Sequence, residues 1–159
     1  MNEIKKKSRP WITRLITLGA LVTRPMILGV RALVIDRNNR VLLVRHTYVD
    51  GFWFPGGGVE RGETIAEALI RELKEEANVV LGEKAPVLQG VYLNSDACSY
   101  DHEALFVVRD FCQVRPFVPT LEIVEAKFFP LDALPAGTIP SVTNRIGEVL
   151  RGDCPSPYW

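Results

Sequence analysis

Residues 64–77 constrain the fold of this chain more than any other segment, because their side chains follow the period of an amphipathic α-helix. Thr64 and Glu67 have the spacing of a capping box, in which the threonine hydroxyl accepts from the Glu67 amide and the Glu67 carboxylate reaches back. The pattern therefore predicts a helix over residues 64–77. Its predicted buried stripe consists of five apolar side chains, Ala66, Leu69, Ile70, Leu73 and Ala77.

Three glutamates of this helix, Glu72, Glu75 and Glu76, lie beside the predicted stripe at positions i, i+3 and i+4. Like charges at this spacing repel one another and destabilise a helix by about 0.2–0.5 kcal/mol per pair. Two interpretations are open from the helix alone: a solvated acidic face, or a site for a divalent cation. Mg²⁺ and Mn²⁺ prefer hard carboxylate oxygens, and either ion would relieve the repulsion.

A glycine-rich loop, residues 50–62 and here called the glycine loop, precedes the helix at a defined spacing. Gly57 is followed after five residues by Glu63, and after seven more by Arg71-Glu72-Leu73-Lys74-Glu75-Glu76, one further residue, Asn78 and Val79. This segment resembles the Nudix box, G-x5-E-x7-R-E-U-x-E-E-x-G-U, in which U is a bulky aliphatic residue. Asn78 stands where the pattern has glycine, and asparagine is the next-best residue for a left-handed helix terminus. The resemblance covers about residues 28–134.

The resemblance implies a fold and an activity. The fold would be of the α+β class, a Nudix-type α/β/α sandwich with a mixed β-sheet. The activity would be metal-dependent hydrolysis of the pyrophosphate bond of a nucleoside diphosphate linked to another moiety, by attack of metal-activated water on phosphorus. The alternative is a catalytically silent Nudix-fold module that binds or senses a nucleotide. The residues that the resemblance assigns to Mg²⁺ or Mn²⁺ are Gly57, Glu72, Glu75 and Glu76.

The resemblance also assigns supporting and catalytic roles. Glu63 and Arg71 would form an ion pair that ties the loop to the helix, and Glu75 or Glu76 would accept the proton of the attacking water. Many members of the family take a further carboxylate from the loop before the last core strand. Glu122 is the preferred candidate for this additional ligand or base. Other candidates are Glu125 as the alternative, Asp101 and Glu103 as weaker ones, and His46 and His102 as phosphate contacts.

The motif does not specify the substrate beyond a small nucleotide diphosphate derivative. Aromatic side chains that could stack on a base are present, but an aromatic residue in a domain of this size is more often part of the core, so none is assigned. The aromatic residues in question are Tyr48, Phe52, Trp53, Tyr92 and Tyr100.

The remaining pattern predicts more strands than helices and no regular βαβ alternation, which favours the α+β class. An asparagine-rich link at residues 36–39 predicts that the first two strands form a hairpin. The predicted strands are residues 28–35, 40–45, 87–93, 104–111 and 123–129, and a closing helix is predicted at residues 141–150.

The first residues differ in composition, with a net charge of +5 over residues 1–24 and an amphipathic helical stripe. We predict an N-terminal amphipathic arm, residues 1–26, before a hydrolase domain at residues 27–159. The arm would dock on its own domain or on the partner in a homodimer; peripheral contact with a membrane is the alternative. Its apolar run is too short to span a bilayer, so we expect no integral membrane insertion.

Charge and cysteine content exclude other classes. Nineteen basic residues balance nineteen acidic ones, so the whole chain lacks the positive footprint of a nucleic-acid-binding protein. The three cysteines have no C-x-x-C spacing, which argues against a zinc site or a disulfide scaffold. Reduced thiols predict a cytoplasmic protein.

Overall fold

The computed structural model describes residues 26–159 and Gly19. The predicted N-terminal amphipathic helix lies outside the described residues, and the domain boundary at residue 26 stays a prediction. The described residues form seven strands and two helices of three or more turns. The strands are β1 (Ile27–Val34), β2 (Arg40–His46), β3 (Val79–Leu81), β4 (Val87–Leu93), β5 (Asp101–Val108), β6 (Phe111–Gln113) and β7 (Ile123–Pro130), and the helices are α1 (Ile65–Ala77) and α2 (Pro140–Arg151).

The central sheet is mixed, in the order β1-β5-β4. Strand β1 runs parallel to β5, and β4 runs antiparallel to it. Strand β2 pairs with β7 and β3 pairs with β6, both antiparallel. The predicted α+β class with a mixed sheet is therefore confirmed.

The two faces of the central sheet carry separate cores, because successive side chains of a strand point to opposite faces. Val30, Ala32 and Val34 of β1 pack with α1 on one face, whereas Leu33 and the following Ile35 pack with α2 on the other. The predicted α/β/α arrangement is thus confirmed. The first core includes Val30, Ala32, Val34, Leu69 and Leu73, and the second includes Leu33, Ile35, Leu105, Val142 and Ile146.

The predicted hairpin of the first two strands is wrong in its pairing. The chain does reverse there, since the Asp36 amide donates to the Arg40 carbonyl at 3.0 Å and Asn39 has a left-handed φ of 53°. A single bridge, between Ile35 and Val41, joins the two strands. Beyond it, β1 continues in register with β5 and β2 with β7. Turn residues specify where a chain reverses, whereas these apolar strands find their partners by burial on both faces.

Helix α1 has the predicted ends but a shifted buried face. The capping box of Thr64 and Glu67 is present, and Asn78 ends the helix in the left-handed conformation, with φ 55°. Ala66 and Ile70, predicted to be buried, are exposed. The buried face is rotated toward the glutamates, because Glu76 is buried where it accepts a hydrogen bond from the Gly56 amide. The buried side chains are Ala68, Leu69, Leu73, Glu76 and Ala77.

Among the described residues, no helix combines the length and the apolar composition that crossing a bilayer requires.

Candidate functional site

The glycine loop lies against the edge of β1 that β5 does not occupy. The Val30 amide donates to the Gly57 carbonyl and the Ala32 amide to the Pro55 carbonyl, both at 2.9 Å. Gly56 has a φ of 145°, and a Cβ at this position would overlap the Val30 carbonyl. Glycine is therefore required at residue 56 so that the loop can approach the strand this closely.

Two carboxylates of α1 pack directly on this loop. The Gly56 amide donates to Glu76 Oε2 at 2.8 Å. Gly57 lies against the Glu72 carboxylate, which a Cβ at residue 57 would displace. Successive glycines thus allow the backbone to meet successive turns of an acidic helix.

Arg71 connects the loop to the same helix. Its Nε and Nη2 donate to the two oxygens of Glu63 at 2.9 and 3.0 Å, which is the ion pair expected from the sequence. Its Nη2 also donates to the Gly58 carbonyl, and its Nη1 lies 2.6 Å from Glu72 Oε1. Hydrogen bonds to Glu63 and Glu72 raise the pKa of Arg71, and the bond from Arg71 lowers the pKa of Glu63. Arg71 also lies 3.6 Å from Glu75 Oε2.

Four carboxylates line one cleft of about 400 Å³: Glu72, Glu75, Glu76 and Glu122. Glu75 is the most exposed of the three on α1, whereas Glu76 is buried. Burial raises the pKa of Glu76 to about 8, and the charges of Glu72 and Glu122 act in the same direction against the hydrogen bond from Gly56. Glu76 is therefore largely protonated at neutral pH while no cation is bound. The negative charge of the cleft belongs to Glu72, Glu75 and Glu122, and Arg71 pairs with the first two of these.

The structure brings Glu122 to this cleft, although it lies far from α1 in sequence. Within the described part of the chain, no hydrogen bond or ion pair reaches the Glu122 carboxylate. The structure does not bring the other carboxylate candidates there. They accept hydrogen bonds elsewhere: Glu125 from Arg45, Glu103 from Arg31, and Asp101 from Asn94.

A second cleft, of about 370 Å³, also borders the glycine loop, and Arg31, His46 and Trp53 line it. Arg31 donates to the Gly56 carbonyl at 2.8 Å and to the buried Glu103 at 3.0 Å. Arg31 was not among the residues predicted from the sequence, although a cation inside an otherwise apolar strand was a signal that could have identified it. His46 Nε2 lies 3.8 Å from Glu76 Oε1, whereas His102 lines neither cleft.

The donors of the acidic cleft suit a hard divalent cation, since all are oxygens of carboxylates or of the adjacent backbone. Across residues 26–159, no three acidic, histidine or cysteine side chains converge as the ligands of one ion do. Protein donors explain this separation, because Arg71 holds Glu72 and the Gly56 amide holds Glu76. The residues fit the ion in chemistry and in excess charge.

Comparisons with known proteins agree with this geometry. The family model for the NUDIX domain matches residues 25–151. The ADP-ribose pyrophosphatase of Methanocaldococcus jannaschii is 33% identical over 105 residues, 64% of this chain and 61% of that protein. The RNA pyrophosphohydrolase of Halorhodospira halophila is 46% identical over 51 residues, 32% of this chain and 28% of that protein. The chain therefore spans about three fifths of the first relative and less of the second.

A solved structure shares the fold. The crystal structure of a MutT NUDIX hydrolase from Burkholderia pseudomallei superposes with a TM-score of 0.67 at 21% identity. The match covers 79% of this chain and 99% of that one.

Proposed function

Because the chain belongs to the NUDIX domain family, we propose that it is a metal-dependent pyrophosphohydrolase that cleaves a phosphoanhydride bond in a small nucleoside diphosphate derivative. The observation that carries this proposal is the cleft of Glu72, Glu75, Glu76 and Glu122, in which carboxylates outnumber their cationic partners. ADP-ribose is the first substrate to test, because the relative named for it aligns over a larger share of this chain than the RNA pyrophosphohydrolase does.

We propose that Glu72, Glu75, Glu76 and the Gly57 carbonyl hold Mg²⁺ or Mn²⁺. The Gly57 carbonyl accepts from Val30, and a carbonyl oxygen has a second lone pair for another partner. A bound divalent cation would neutralise the charge of the diphosphate and acidify a water molecule. The repulsion among the carboxylates supports this assignment, since a cation is the ligand that would relieve it.

The side chains would then divide the remaining work. Arg71 and Glu63 keep the loop and α1 at a fixed distance, through two parallel hydrogen bonds. In the reaction, an oxygen–phosphorus bond forms to water, the anhydride oxygen leaves with its electron pair, and a carboxylate takes the proton of the water. We assign the proton to Glu75 or Glu122, because neither accepts a backbone hydrogen bond as Glu76 does.

The test measures product release from ADP-ribose, 5′-triphosphorylated RNA and 8-oxo-dGTP, with Mg²⁺ or Mn²⁺, by wild type and Glu75→Gln. We expect wild type to hydrolyse at least one compound, and the variant to lose about two orders of magnitude in rate, or about 2.7 kcal/mol of barrier lowering. Glu83→Gln, the same change at an exposed residue outside the cleft, is the matched control.

Equal rates for wild type and Glu75→Gln would contradict the assignment. Tight binding of a nucleotide by wild type, with no product under either metal, would instead favour a nucleotide-sensing module. The cytoplasmic location and the homodimer stay predictions from the sequence, and the chemistry proposed here depends on neither.

A further inference from the structure

Residues 155–159, here called the anchored segment, cross the face of α2 and are fastened there by buried groups. Glu148 of α2 accepts hydrogen bonds from the Ser156 amide and from the Tyr92 hydroxyl. Arg145 donates to the Tyr158 carbonyl. The backbone of the segment also pairs with the end of β4, where the Trp159 amide donates to the Leu93 carbonyl at 3.0 Å. These directional bonds give the segment one register.

That register places the Trp159 indole in the second core. Its ring meets Tyr92 edge to face, with centroids 5.6 Å apart, and meets Phe54 in the same manner at 6.3 Å. Phe54 is 1% exposed, so the position of its ring is determined by the side chains that pack around it. Trp159 is therefore one wall of the site that holds Phe54.

Phe54 lies two residues before the glycine whose amide binds the acidic helix. The carbonyl of the intervening Pro55 accepts from Ala32, and the Gly56 amide donates to Glu76 Oε2 at 2.8 Å. Only Pro55 separates Phe54 from Gly56 along the backbone, so a tilt of the Phe54 ring would shift the Gly56 amide as well. Ring packing on the α2 face of the sheet is thereby connected to a carboxylate on the α1 face.

The pairing of Arg145 with Glu148 supports a positioning role for this segment. Both side chains are buried, at 7% and 5% exposure, and a buried ion pair is often no more stabilising than apolar residues of similar size. The hydrogen bonds that these two side chains make to the Ser156 amide and the Tyr158 carbonyl are directional, whereas apolar packing is not. The pair therefore fixes the position of the anchored segment along the axis of α2.

We propose that Trp159 is a positioning residue for the glycine loop: through Phe54 it fixes the Gly56 amide against Glu76. The activity readout of this inference rests on the proposed function, whereas its structural readout does not.

The test compares Trp159→Ala and Trp159→Phe with wild type in the full chain. Hydrogen exchange of residues 53–58, resolved to the Gly56 amide, tests this contact, and we expect about tenfold faster exchange in the alanine variant. The phenylalanine variant restores most of the protection because it keeps an aromatic edge. On a hydrolysed substrate, kcat should fall by about tenfold or more in Trp159→Ala, with KM nearly unchanged, because a misplaced carboxylate affects the reaction step.

Phe111→Leu is the control for a general loss of packing. Phe111 stacks on Phe128 at 5.6 Å in the first core, whereas Phe54 and Trp159 pack in the second. It should lower the unfolding free energy without accelerating exchange at residues 53–58. If Trp159→Ala does not fold, Trp159→Leu replaces it, because leucine keeps apolar volume and removes the ring.

Exchange at residues 53–58 that is as slow in Trp159→Ala (or in Trp159→Leu, where it replaces the alanine variant) as in Phe111→Leu would overturn the proposal. Faster exchange in a chain that hydrolyses no substrate would uphold the positioning role and count against the proposed function alone.

Discussion

Helices α1 and α2 lie on opposite faces of one sheet, and on each an arginine pairs with glutamate, but the two sets of charges are satisfied to different degrees. On α2, both oxygens of Glu148 have protein donors, and Arg145 Nε lies 3.0 Å from one of them. On α1, the single guanidinium of Arg71 lies within 4 Å of Glu63, Glu72 and Glu75. Ordinary protein donors satisfy both oxygens of Glu148, although the buried Arg145 Nε pairs with Glu148 by charge alone, without a hydrogen bond. The α1 cluster, by contrast, has spare acceptors.

The difference suggests a structural role for the charges on α2 and a ligand-binding role for those on α1. A buried charge whose partners all come from the chain contributes to a unique arrangement of the fold. In the cleft, burial and the neighbouring carboxylates raise the pKa of Glu76, and a cation bound there would favour its ionised form. Charge that the protein leaves uncompensated is thus the better indicator of a site.

The largest expected effect tests this contrast on stability. Glu148→Gln leaves Arg145 buried without its carboxylate and should lower the unfolding free energy by about 3–5 kcal/mol. Glu75→Gln should change it by less than about 1 kcal/mol, because Glu75 is exposed and its contact with Arg71 is long. Urea denaturation of both variants measures the difference. A similar loss in both would mean that the two clusters are equally structural.

Metal addition gives a somewhat smaller effect. Mg²⁺ or Mn²⁺ at about 100 times its dissociation constant should raise the unfolding free energy by about 2.7 kcal/mol, because only the folded cleft binds it, and a chelator should reverse the gain. Glu122→Gln should reduce the gain, whereas Glu125→Gln, at a residue paired with Arg45, should leave it intact. A gain that Glu125→Gln abolishes and Glu122→Gln spares would reverse the assignment of the fourth carboxylate.

Local chemistry made the elements around the acidic cleft predictable. The capping box of Thr64 and Glu67, the left-handed Asn78 and the ion pair of Glu63 with Arg71 are short-range features, and the structure contains them all. Each depends on residues that lie within one or two turns or at the two ends of one loop. Such contacts can be read from spacing because the backbone allows few alternatives.

Contacts between distant strands could not be read in this way. Turn residues indicated a reversal before β2 but not that β1 would pair with β5. Arg31 went unnoticed because its partner Glu103 lies 72 residues away, in the neighbouring strand. The shift of the α1 stripe depends on Gly56, which lies outside the helix. Helical periodicity predicts which side chains share a face of the helix, but the elements that pack against the helix decide which face is buried.

The smallest expected effect concerns how the two helices begin. Helix α1 has a capping box, whereas α2 begins after Ile139 with no side-chain hydrogen bond to its first turn. Hydrogen bonds from the amide and hydroxyl of Thr64 lower the pKa of Glu67 in the folded chain. The ionised carboxylate therefore stabilises the fold above its unfolded pKa, and this contribution is lost as the pH falls through the folded pKa.

Glu67→Gln should consequently be less stable than wild type at about pH 7, and thermal denaturation over a series of decreasing pH values should show the difference shrinking as the pH falls through the folded pKa of Glu67. The same substitution in a Thr64→Ala background should show a smaller dependence on pH, since the alanine removes the hydroxyl that donates to the carboxylate. A constant difference between Glu67→Gln and wild type across this range would mean that the neutral side chain caps the helix equally well. The first turn of α1 would then resemble that of α2, in which no charge takes part.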